Sequence, residues 1–225
     1  TKKVIDDFAR RSSIAIQHIW HPDNGFQLSK IRNKAIDAAQ YPYIIQIDGD
    51  VILDTHFVED HLRIATEKFF VTGSRVNLKE DFSKKLLRQA TLPDFKTLKN
   101  NAINKTNSMR IPLITSLLED FYKVKGKYKD FTRGCNMAYW KADILKVNGY
   151  DESMVGWGSE DKELVVRLLN LGVKKKFAKF SAIQYHIWHP YASREKDTIN
   201  HNIYIKSIEM KKISTEHGIK NNSVS

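Results

Sequence analysis

Asp48 and Asp50 close an apolar run, Y-I-I-Q-I-D-G-D-V-I-L (43–53), with a single glycine between them. In a strand alternate residues share a face, so both carboxylates are expected to project together from the strand's carboxyl end. Two hard oxygen donors suit Mg²⁺ or Mn²⁺, which usually complete their octahedron with water and substrate phosphates. Gly49 offers no side chain to hold a phosphate off the backbone. D-G-D after a strand is equally an ordinary polar turn, and the pattern alone leaves both accounts standing.

A second set of acids, Glu160 and Asp161, opens a helix directly after Gly156-Trp157-Gly158-Ser159. Helix chemistry accounts for the acids: Ser159 can cap, and first-turn carboxylates gain about 0.3–1 kcal/mol from the macrodipole. It does not account for the tryptophan between glycines, which can present a flat face to a sugar ring or pack as an ordinary core residue. Further on, the strand-like S-A-I-Q-Y-H-I-W-H-P supplies His186 and His189. Either is a structural histidine or a late ligand to a metal site begun by the aspartates.

These residues need elements to hold them. Thr1–Arg10 reads as a short helix and Ile14–Trp20 as a strand; Leu28, Ile31, Ala35, Ile36 and Ala39 recur at helical spacing before the D-G-D strand. A crossover of that length is what parallel neighbours require. A helix over 55–65 and a strand near 69–73 extend the βαβ series, whereas 77–130, broken by Pro93 and Pro112, reads as inserted helical fragments and loops. A strand over 136–140 and a helix over 141–148 closed by Gly149 follow. Gly172 ends the Glu160 helix, and 198–217 reads as a basic amphipathic helix using Ile199, Ile203, Ile208 and Ile213. The expected fold is α/β, with a mixed, mainly parallel sheet flanked by helices. Because the chain opens on a helix, a strand upstream of Thr1 is expected to complete the sheet.

With 225 residues and 41% hydrophobic content the chain can bury one substantial core, so a single domain over 1–225 is expected. The net charge of +11 favours anionic partners. No helix-turn-helix, Cys/His finger or aromatic RNA-binding strand is evident, which argues against nucleic acid. The one cysteine, Cys135, forbids an intrachain disulfide and reads as a small buried hydrophobe. With no apolar run of about 20 residues, a cytoplasmic protein is expected, with peripheral contact at the inner face of the membrane left open by the basic C-terminal helix.

Three segments in register resemble a family-2-like GT-A glycosyltransferase whose C-terminal half is similar to β-1,4-galactosyltransferases and bacterial chondroitin-type polymerases. They are F-Q-L-S-K-I-R-N (26–33), I-D-G-D-V (47–51) and R-G-C-N-M-A-Y-W-K-A-D-I-L-K-V-N-G-Y-D-E-S-M-V-G-W-G-S-E-D (133–161). The resemblance implies a UDP-sugar donor held by Mn²⁺ or Mg²⁺, a glycan or glycolipid acceptor, and inverting transfer. It implies Asp50 as metal ligand, Asp48 toward the ribose and metal shell, and His186 as late metal ligand with His189 in reserve. It further implies Asp161 as base, Glu160 for acceptor hydroxyls, Trp157 stacked on the acceptor between Gly156 and Gly158, Arg133 and Gly134 in the acceptor segment, and Phe26 near the base. Leu28 stands where the group often carries a basic residue, so Arg32 or Lys30 is expected to serve the phosphates. The group's opening strand and its acidic uracil contact have no counterpart, so weak UDP binding by residues 1–225 is expected. A helix N-terminus weakens Asp161 as a base, while Glu160 and donor phosphates strengthen it. A sugar nucleotidyltransferase and a non-catalytic glycan-binding module are the rival readings.

Overall fold

The computed structural model describes residues 1–89, 91–190 and 196–220. The chain runs α1 (Lys2–Ala9), α2 (Leu28–Ala38), β1 (Tyr43–Ile47), β2 (Val51–Leu53), α3 (Phe57–Ile64), β3 (Phe69–Gly73), β4 (Val76–Asn77), α4 (Glu80–Leu86), α5 (Phe95–Asn100) and α6 (Pro112–Leu118). It continues through β5 (Asn136–Trp140), α7 (Lys141–Lys146), α8 (Glu160–Asn170), β6 (Lys174–Ala178), β7 (Gln184–His186) and α9 (Asp197–Glu209). The strands form two sheets, ordered β1-β5-β3-β6 and β2-β7-β4. The mixed α/β expectation holds, but the mainly parallel one does not: β1–β5, β3–β5 and β2–β7 are antiparallel, while β3–β6 and β4–β7 are parallel.

The D-G-D run is not one strand. It leaves the first sheet after Ile47, turns through Asp48–Asp50, and enters the second sheet at Val51. The two aspartates therefore sit at the seam between sheets, and strand alternation does not set their directions. Residues 14–20 form no strand and leave Ile14 and Trp20 exposed; an isolated strand without a paired neighbour is not stable. The open edge of β1 instead faces α2 across a groove of about 410 Å³ lined by Leu28, Ile31, Ala35, Ile44, Asp48 and Gly49.

The main core packs α2, α7 and α8 on the first sheet through Ile36, Phe70, Met137, Tyr139, Ile144, Leu164 and Leu168. Residues 78–130 form short helices and loops, with Leu78, Leu86 and Leu98 packed under the second sheet against Tyr185. Helix α9 corrects the expected apolar stripe. It ends at Glu209, its buried face is Asn200, Tyr204 and Ser207, and Ile199, Ile208 and Ile213 stay exposed. Hydrogen bonding decides this face: Ser207 Oγ donates to Glu163 Oε1 at 2.9 Å, Asn200 Nδ2 to the Val155 carbonyl at 3.3 Å, and the Tyr204 hydroxyl to Asp130. No described helix is long and apolar enough to cross a membrane.

Candidate active site

Arg32, on the buried side of α2, is the hub. Its Nη1 donates to Asp161 Oδ1 at 2.8 Å and its Nη2 to Asp48 Oδ1 at 3.1 Å, so one guanidinium joins the strand tip to the N-terminus of α8. Burial works against its charge, but Asp161, Tyr150, Asp48 and Glu160 outweigh that and hold its pKa well above the ordinary arginine value. Lys30 does not share this role. Two residues along a helix is a turn of about 200°, and Lys30 lines a separate cavity of about 130 Å³ with Glu152 and Met154.

Asp161 is held from three sides. Besides Arg32, its Oδ2 accepts from the Gly134 backbone N–H at 2.9 Å and its Oδ1 from the Tyr150 hydroxyl at 3.1 Å. A Cβ at residue 134 would lie 2.3 Å from Asp161 Oδ2, so only glycine lets that N–H approach. Gln46 braces the same group from within β1. It donates to the Gly134 carbonyl at 2.8 Å and accepts from the Tyr139 hydroxyl at 2.8 Å, while its Oε1, 2.9 Å from the Tyr150 hydroxyl, shares that group's single proton with Asp161. Asn33 fixes Tyr150 in turn, accepting from its N–H at 2.7 Å and donating to its carbonyl at 2.9 Å.

Glu160 is buried beside Asp161 and accepts from the Gly158 N–H at 3.1 Å. Burial, and then the charge of Asp161, push its carboxyl up to about 7. Ser159 makes no side-chain cap, contrary to expectation; its backbone is left-handed, with φ 65°, and aims the helix start at the cleft. Gly156 (φ 83°) and Gly158 (φ 123°) are also left-handed and abut Lys196 and Asp197, where a Cβ would clash. Trp157 between them is 39% exposed, and the Gly156 N–H donates to the Phe26 carbonyl at 2.9 Å, which brings the half-exposed Phe26 to this loop.

Asp50 faces the other way. Its Oδ2 lies 3.3 Å from His186 Nε2 and 3.1 Å from His189 Nε2, and the three ligand atoms fall within 4.8 Å of one another. The β2–β7 register, Val51 opposite His186, sets this meeting, and the Ile187 N–H donates to the Asp50 carbonyl at 2.9 Å. Neighbouring ligands on a small octahedral cation at about 2.1 Å stand about 3 Å apart, so the donor set fits one. Asp50 Oδ1 is buried with no hydrogen-bond partner among the described residues, a costly state for a carboxylate oxygen that a cation would relieve. Burial, then Arg75, lower His186 to about 4, leaving its ring neutral and its lone pair available. His189 Nδ1 lies 2.7 Å from the Pro190 carbonyl; donation there frees Nε2 for the cluster. Asp48 lies outside this cluster and pairs with Arg32, whereas His189, the reserve ligand, lies within it.

Gln46, Tyr150 and Asn33 escape a motif reading. Only Gln46 leaves a signal, as a polar residue interrupting an otherwise apolar strand. Cys135 is buried as expected, with its thiol pushed up to about 11 by burial.

Known proteins share this arrangement of elements. The profile of glycosyl transferase family 2 matches residues 1–124, more than half of the chain. The chain belongs to glycosyl transferase family 2. A second profile, described as the N-terminal domain of galactosyltransferase, matches residues 115–190, which include Trp157, Asp161 and His186. A chondroitin synthase of Escherichia coli is 25% identical over 94% of the chain and 32% of its own length, and a hyaluronan synthase of Pasteurella multocida 27% identical over 72% and 18%. The family-2 chain thus spans a third or less of these relatives. Staphylococcus aureus TarS 1–349 with UDP superposes with a TM-score of 0.58 at 11% identity, covering 98% of this chain and 55% of that one. GalNAc-T7 with UDP, GalNAc and Mn²⁺ also gives 0.58, at 13% identity over 92% and 38%. The structural likenesses show a GT-A fold.

Proposed function

We propose that this glycosyltransferase moves a sugar from a UDP-sugar donor to a hydroxyl of a glycan or glycolipid acceptor, with inversion, during bacterial-type polysaccharide synthesis. The observation that carries the reading is the Arg32 bridge: Asp48 and Asp161, 113 positions apart, contact one guanidinium and so border one cleft. Asp50, His186 and His189 would hold the divalent cation. Two imidazoles with one carboxylate suit Mn²⁺ better than Mg²⁺, which prefers all-oxygen shells. When bound, the cation supplies positive charge for the departing diphosphate. Asp161, the more accessible of the paired acids, takes the proton from the acceptor hydroxyl as that oxygen bonds to the anomeric carbon. The bond from that carbon to the diphosphate oxygen breaks on the opposite face and UDP leaves. Arg32, Tyr150 and Gly134 orient Asp161 toward that proton. Trp157 offers its ring face to the acceptor sugar, and Asp48 and Gly49 border the donor. Mn²⁺-dependent release of UDP from a panel of UDP-sugars, stimulated by oligosaccharide acceptors, is the expected result. Release of pyrophosphate without UDP would replace the reading with nucleotidyl transfer, and metal-independent glycan binding without donor turnover would replace it with a binding module.

A further inference from the structure

Arg75 and Arg133 adjoin, in sequence, residues of both parts of the site. Arg75 lies immediately before β4, whose Asn77 stands opposite His186, and Arg133 immediately precedes the Gly134 that contacts Asp161. Both backbones are pinned. The Arg75 carbonyl accepts from Asn104 Nδ2 at 2.8 Å and Asn107 Nδ2 at 3.1 Å, and the preceding Ser74 carbonyl from Asn136 Nδ2 at 2.8 Å. The Arg133 carbonyl accepts from the Asn136 N–H at 2.9 Å. One asparagine, Asn136, therefore ties both segments together.

The two guanidiniums are half-buried, and neither forms an ion pair among the described residues, in contrast to Arg32, Arg63, Arg110 and Arg167. Arg75 Nε is buried with no hydrogen-bond partner among them. Burial and then the charge of Arg75 lower the pKa of Arg133, so the two like charges feel one another. Holding two partly desolvated guanidiniums together without an anion is unfavourable, and planar forks of N–H donors match oxyanions.

We propose that Arg75 and Arg133 form an oxyanion subsite beside the transfer centre. It takes an anionic group carried by a substrate, either a carboxylate on the acceptor sugar or a phosphate of the donor. The position of the subsite within the cleft rests on the glycosyl-transfer reading; its chemistry does not. Inorganic pyrophosphate and D-glucuronate, each titrated without metal and followed by NMR, are the probes. At least one binds the wild-type chain, and Arg75→Gln and Arg133→Gln each weaken that binding about tenfold. Loss for glucuronate identifies the acceptor carboxylate as the source, and loss for pyrophosphate the donor. Arg75→Lys and Arg133→Lys keep the charge without the fork and restore only part of the loss, while thermal midpoints verify folding. Failure of both probes to bind the wild-type chain, or unchanged binding in folded Gln variants, overturns the subsite. A separate titration with UDP and Mn²⁺ tests the transfer reading by itself.

Discussion

The two halves of the cleft are built on opposite principles. Around Arg32 each carboxylate oxygen of Asp161 already has a donor, and the ring hydroxyls of Tyr139 and Tyr150 both meet Gln46 Oε1. Around Asp50 one carboxylate oxygen has no partner among the described residues and two imidazoles converge on the other. The first half is finished by the fold and the second is left for a ligand. A group that must accept a proton at a fixed place gains from preorganisation, whereas a metal site must leave positions open.

Substitutions should therefore separate the halves. Asp161→Asn keeps the shape, so transfer should fall about 10³-fold while UDP–Mn²⁺ affinity, measured calorimetrically, stays within a factor of two or so. Arg32→Met leaves Asp161 partly buried without its cation; unfolding in urea should show a loss of about 2–3 kcal/mol after allowing for the more exposed Asp48. His189→Ala should lower Mn²⁺ affinity about tenfold and leave stability unchanged, because the open half contributes little to the fold. The smallest effect is in pH dependence. With Glu160 raised to about 7 by burial, a step in the rate near pH 7 should report its ionisation, and Glu160→Gln should remove that step. Burial raises this folded pKa above the unfolded one, so Glu160 also costs stability as pH rises from about 4.5 through 7, and the same substitution should abolish that slope.

What the sequence made legible follows the same division. Asp50, Asp161, Trp157 and the histidines stand out because their residue types and spacing are unusual in themselves. The parts that fix them do not, since Gln46 and Asn33 act through contacts made across more than 80 residues. Element types are legible where apolar period and glycine stops agree, as in α7 before Gly149 and α8 before Gly172. They were misleading where pairing decides: residues 14–20 have the composition of a strand but no ladder, and 43–53 divides between two sheets because the chain turns at Gly49. Helix α9 was misread because its docking face is polar, held by hydrogen bonds that hydrophobic periodicity does not register.

Pulsed electron paramagnetic resonance of Mn²⁺ added to the chain with UDP examines the open half directly. Two imidazole nitrogens and the diphosphate phosphorus should couple to one bound ion, with one nitrogen coupling lost in His189→Ala. Bound Mn²⁺ that shows phosphorus but no nitrogen coupling would contradict the assignment of Asp50, His186 and His189 as its holders.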